Sequence, residues 1–155
     1  MTECCQNGIV MTAVNTRVLV SDYMRHHLKK HNVPWEADNG GELPGPVELT
    51  MRAIGDEFED RYREVFEEMS NQLHISPSNA RQTFHGVVNE LFNDEVNWGR
   101  IVALFSFGAT LAVQCVQKDM PELVDQLVDW ITQYLDDNLY SWIQEHNGWV
   151  SIISL

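Results

Sequence analysis

Apolar residues recur along this chain at steps of three and four, the period of a helix with one buried face. Strand signals are weak throughout. Val20, Met24 and Leu28 mark such a face on a first helix predicted over about residues 12–31. A linker over about 32–46 follows, punctuated by Pro34, Asp38-Asn39-Gly40-Gly41 and Pro44-Gly45-Pro46. Val47, Met51, Ile54 and Phe58 define a second helical face, and Tyr62, Phe66 and Met69 continue it through a bend into a short third helix. Ser76-Pro77 predicts the opening of the next helix, with Phe84, Val87, Val88 and Leu91 inward. After Asp119-Met120-Pro121, Leu123, Leu127, Trp130, Tyr134 and Leu135 form a further amphipathic face. A last short helix or pair of turns holds Trp142, Ile143, Trp149 and Ile152.

One stretch breaks this pattern. From Ile101 to Gln117 there is no charge, and the segment is apolar on nearly every face of a helix. A soluble protein can hide such a helix only by surrounding it with others. Ser106, Thr110 and Gln114 interrupt it before it reaches the roughly 20 apolar residues that span a bilayer, so it reads as a buried core helix. Asn97 is placed as its N-cap. Arg100, in the first turn, faces the positive end of the helix dipole, an unfavourable place for a cation. That placement points to a task, most simply meeting an anion from outside. The expected architecture is all-α: one globular domain over residues 1–155, a bundle of about seven to eight helices around a central apolar one.

Composition narrows the function. The 155 residues carry 44% hydrophobic side chains, enough for a core, and a formal net charge of −13. Such acidity argues against nucleic acid and against passive adsorption to anionic membranes. Cys4, Cys5 and Cys115 make no disulfide framework, which favours a reducing compartment, and no secretory signal is evident. His27 and His31 lie one helical turn apart with His26 adjacent, yet no cysteine or carboxylate in the same segment completes a zinc site. The acidic runs Glu57, Glu59, Asp60 and Glu64, Glu67, Glu68 read as solvated helix faces. No phosphate loop or hydrolase elbow is present, so neither enzyme, metal nor cofactor is expected.

The segment Asn97-Trp98-Gly99-Arg100, flanked by Val88-Asn89-Glu90-Leu91-Phe92 and Ser106-Phe107-Gly108, resembles the first homology motif of the Bcl-2 family of apoptosis regulators. Three further motifs stand in the family's order. Met51-Arg52-Ala53-Ile54-Gly55-Asp56-Glu57-Phe58 resembles the third, with an apolar face, a small residue for close packing and an acid. Trp142 to Trp149 resembles the second, with Asn147 in place of a common glycine, at a turn where asparagine also tolerates a left-handed backbone. Leu19 to Met24 with Leu28 resembles the fourth, and Val33-Pro34-Trp35 its close.

The resemblance implies a pro-survival regulator whose surface groove sequesters the amphipathic homology-3 helices of pro-apoptotic partners, multi-motif effectors included, and so restrains permeabilisation of the mitochondrial outer membrane. Carried onto this chain, the groove walls are Phe58, Tyr62, Phe66, Met69, Val87, Leu91, Ala103 and Phe107, with Glu90 on the same rim. Gly99 lets the ligand backbone come close, and Asn97 and Arg100 hold the ligand's aspartate. The alternative is a pro-apoptotic effector of the same fold that opens and forms membrane pores. Glu90-Leu91-Phe92 and Ser106-Phe107-Gly108 favour the pro-survival branch. An unrelated helical enzyme or scaffold is a third reading. The short linker after the first helix departs from vertebrate members with a long regulatory loop there. Family members usually add an apolar membrane anchor where this chain stops, at Leu155. The expected location is thus cytoplasmic for these residues alone, and mitochondrial outer membrane or endoplasmic reticulum where an anchor follows.

Overall fold

The computed structural model describes residues 14–33, 35 and 43–155. Cys4, Cys5, the predicted helix start near residue 12, Pro34 and the Asp38 to Gly41 turn lie outside them. Every described element is helical. The helices are α1 (Thr16–Lys30), α2 (Pro46–Arg61), α3 (Arg63–Gln72), α4 (Ala80–Leu91), α5 (Trp98–Gln117), α6 (Glu122–Tyr134) and α7 (Tyr140–Glu145). One π-helical turn, Leu135–Leu139, joins α6 to α7, and a 3-10 helix, Trp149–Ser154, follows.

Local chemistry sets most of the boundaries. Asn15 caps α1 by accepting from the Val18 amide, and Pro46 takes the first position of α2, where a missing N–H costs nothing. The bend predicted near Tyr62 is present: that residue leaves helical geometry between α2 and α3. Three helices end alike. Asn32, Asp119 and Asn147 adopt left-handed backbones (φ 60, 64 and 75°), and the next amide reaches back to Leu28, Cys115 and Ile143 carbonyls. This closure satisfies orphan carbonyls with a residue other than glycine in the left-handed position. The start of α4 differs from expectation. Pro77 lies in a turn in which Asn79 Oδ1 accepts from the Ser76 amide, and the helix begins only at Ala80.

Helix α5 is the axis, packed against α1, α2, α3, α4 and α6. By length and composition it is in fact sufficient to cross a membrane, contrary to the sequence expectation. Its most apolar window is 67% buried within the bundle, as a core helix would be. Its neighbours come close at two glycines. A Cβ at Gly108 would strike Ile131 of α6, and one at Gly55 would strike the Tyr23 ring of α1. Tyr23 is the pin of the α1–α2–α5 junction. It is 2% exposed, meets Phe105 edge-on at 5.6 Å, and its hydroxyl lies 3.3 Å from Ser106 Oγ. Burial pushes its phenol well above the ordinary range, so it stays neutral.

Gly55→Ala sets helix propensity, a gain of up to about 1 kcal/mol, against overpacking, which costs about 1–3 kcal/mol in a rigid core. With a buried ring in the way, the net effect is expected to be a loss of about 1–2 kcal/mol in urea unfolding.

Candidate functional site

The residues singled out near α5 fall into two sets on different helices. In one, the Phe58 ring lies tilted 4.7 Å from Tyr62 and 5.9 Å from Phe66, giving an aromatic cluster across the α2–α3 bend. Tyr62 is 41% exposed, Phe58 and Met69 are half-buried, and Phe66 is buried. In the other, α4 offers half-buried Val87 and Leu91, with Glu90 exposed. Helices α3 and α4 each pack on α5, and neither packs substantially on the other. Half-buried Ala103 lies along α5. Phe107 is placed differently from the expected wall: it is 3% exposed and stacked 6.1 Å from Phe84, within the core.

The start of α5 carries the polar end. Asn97 caps the helix as predicted, its Oδ1 accepting from the Arg100 amide at 2.8 Å. Its Nδ2 donates to Glu95 at 2.8 Å, so both ends of this amide are already committed. The Arg100 guanidinium donates to the Leu91 carbonyl at 2.7 Å. Leu91 closes α4, whose last carbonyls form a negative dipole end, so the arginine ties the end of one helix to the start of the next. This partner escaped the sequence reading, because a backbone carbonyl nine residues away leaves no mark in residue type. No carboxylate among the described residues pairs with Arg100, so its charge is oriented but not neutralised. Beside it Gly99 is exposed, and a Cβ there would meet only Asn97 Oδ1 at 3.4 Å. Nothing among the described residues requires that glycine; its effect is to leave backbone bare toward the outside.

The tryptophans of the motifs converge beneath this point. Trp98 lies 5.2 Å from Trp142 and 5.7 Å from Trp149, which also meets Phe105 edge-on at 5.9 Å. The C-terminal turns thus brace the first turn of α5.

A second polar cluster joins α1 to α2. Arg52 of α2 grips Asp22 through two bonds of 2.6 and 2.9 Å. Asp56 is held by His26 at 2.9 Å and Lys30 at 3.2 Å. Glu59, expected to be a solvated acid, is instead 8% exposed, with Lys30 at 2.8 Å and His27 at 2.9 Å. Burial alone would raise its carboxyl, but His27 and Lys30 outweigh burial and hold it at about 2.

A family model described as apoptosis regulator proteins of the Bcl-2 family matches residues 51–149. The chain is similar to Bcl-2-like protein 1 of Gallus gallus, with 54% identity over 109 residues, 70% of this chain and 48% of that protein. The Homo sapiens counterpart is 52% identical over the same length, covering 70% and 47%. Apoptosis regulator Bcl-2 of Canis lupus familiaris is 50% identical over 113 residues, 73% and 48% respectively. The chain spans about half the length of the curated relatives it matches.

The cap role of Asn97 is separable from any contact with a ligand. Asn97→Ala is expected to cost about 1 kcal/mol of stability in denaturant unfolding, whereas Asn97→Asp, which keeps a capping oxygen, stays within a few tenths.

Proposed function

Because this chain belongs to the Bcl-2 family of apoptosis regulators, we propose that it is a pro-survival member that sequesters the homology-3 helices of pro-apoptotic partners. The docking surface in this reading is the apolar trough between α3 and α4, floored by α5. Restraint of mitochondrial outer-membrane permeabilisation follows from holding those helices, and the proposed site of action is that membrane or the endoplasmic reticulum. The chain is a regulator and not an enzyme. About 50% identity to Bcl-2 and Bcl-2-like protein 1 supports the pro-survival branch over the pore-forming one.

The observation that carries the mechanism is Arg100: a half-buried guanidinium, fixed by one carbonyl, with no carboxylate paired to it among the described residues and bare Gly99 backbone next to it. An amphipathic helix laid in the trough would place apolar residues at i, i+3/i+4 and i+7 against Phe58, Tyr62, Met69, Val87 and Leu91. Its aspartate would then meet Arg100 through charge-assisted bonds. Each large apolar side chain buried contributes about 1.5–3 kcal/mol, and ordering a flexible ligand costs roughly 2–5 kcal/mol. Four apolar anchors therefore supply most of the affinity. The ion pair sets register, and Asn97 acts through the cap that orients Arg100 rather than as a free donor.

Calorimetric titration with a panel of homology-3 peptides tests this. Several should bind below about micromolar, and Arg100→Ala should weaken them by about 2–5 kcal/mol, at least tenfold. Replacing the peptide aspartate by alanine should cost little in the Arg100→Ala background. Absence of binding across the panel would sink the reading and return the chain to the unrelated-scaffold class. Dye release from liposomes by the protein alone would favour the effector alternative.

A further inference from the structure

The α1–α2 junction borders a cleft of about 570 Å³ whose lining includes His27, His31, Glu59, Arg63 and Glu67. At its inner edge one nitrogen of each histidine and one Glu59 oxygen lie within 4.8 Å of one another. The two histidines are spaced i, i+4, so both rings stand on one face of α1, with centroids 4.5 Å apart. The missing carboxylate comes from α2, some thirty residues away in sequence, where no short-range spacing could reveal it.

The contact between His27 and Glu59 is peculiar. His27 Nδ1 lies 2.9 Å from Glu59 Oε2, yet it is fully buried and has no hydrogen-bond partner, because the two atoms are out of line for one. Proximity to the carboxylate favours the pair electrostatically, but the buried nitrogen gains no aligned hydrogen bond from it, and buried polar atoms are ordinarily satisfied. A cation beside both would give the nitrogen and the carboxylate a common partner. His31 Nε2 is 3.7 Å from Glu59 Oε1. With one atom from each residue the set lies within 4.8 Å, so side-chain adjustment would have to draw it in to the roughly 3.3 Å between ligand atoms that sit about 2.0–2.1 Å from a tetrahedral ion.

We propose that His27, His31 and Glu59 form a three-ligand site for a divalent cation of the zinc class, with its remaining position open to the cleft. Two neutral imidazoles and one carboxylate are a donor set that suits zinc, with copper as the stronger competitor by intrinsic affinity. Lys30 is the one obstacle, because it donates to Glu59 Oε1 at 2.8 Å. Its side chain is 34% exposed and already reaches Asp56 at 3.2 Å, so it can release Glu59 and keep a partner. Bound metal would clip the last turn of α1 to α2, stabilising the native state by mass action.

The full chain, held reduced, is titrated with Zn2+ in competition with a chromophoric chelator, and Co2+ absorption reports coordination. One equivalent should bind and raise the melting temperature. Exposed His31 can be changed without disturbing the core, and His31→Ala should weaken binding by at least about 10-fold, the lower end of the loss typical of even indirect perturbation of a metal site. Glu59→Gln should do likewise, while His74→Ala should leave it unchanged. Three outcomes overturn the assignment: no binding, affinity retained in both His31→Ala and Glu59→Gln, or loss of binding in Cys4→Ser/Cys5→Ser.

Discussion

A twenty-residue helix with no charge after its third residue can exist in water only inside a cage, and the burial of α5 is the constraint on which the other helices depend. Each neighbour supplies an apolar stripe: Leu19, Val20 and Met24 from α1, Met51 from α2, Phe84 and Val88 from α4, and Leu123, Leu127 and Ile131 from α6. The fit is close where glycine permits it, at Gly55 under Tyr23 and at Gly108 under Ile131. Ser106 is a fully buried polar residue of α5, and Tyr23 is the partner that makes it tolerable. The same burial explains why membrane-like hydropathy does not by itself imply a membrane span.

The cage is not equally thick everywhere. Around the first turn of α5 the chain exposes Gly99, half-buries Arg100 and Ala103, and leaves α3 and α4 resting on α5 without packing substantially on each other. The local features that give this end its rigidity are the Asn97 cap, the Arg100 bond to the Leu91 carbonyl and the tryptophans below. A cation here works against the dipole of α5 but with that of α4, so the two helices share its position. That arrangement holds a positive charge in a fixed orientation before any partner arrives, and preorganisation of this kind reduces what binding must spend on ordering.

Much of this was legible in the residues because it is local. Helical period, the Asn97 cap, the bend at Tyr62 and the left-handed Asn147 each depend on near neighbours, and each is present. The late start of α4 was missed because Asn79, two residues after Pro77, offers its side chain to the Ser76 amide and makes a turn first. What sequence could not give is tertiary. Glu59 reads as one acid in a solvated run until α1 brings His27 and Lys30 to it. Phe107 reads as a wall until Phe84 covers it, and Arg100 as free until the end of α4 meets it.

The third homology motif shows how one pattern serves two ends. In a partner helix, an apolar face, a small residue and an acid would fit the trough. In α2 of this chain the same features are turned inward on α1: Gly55 lies against Tyr23, and Asp56 is held by His26 and Lys30. The basic last turn of α1 thus faces an acidic stripe of α2, with Arg52–Asp22 as a pair of reversed sign at the other end. The reversal fixes register, since sliding α2 along α1 would bring like charges together. Presenting α2 to another molecule would require these part-buried pairs and the Tyr23 contact to separate together, which keeps the motif a structural element here.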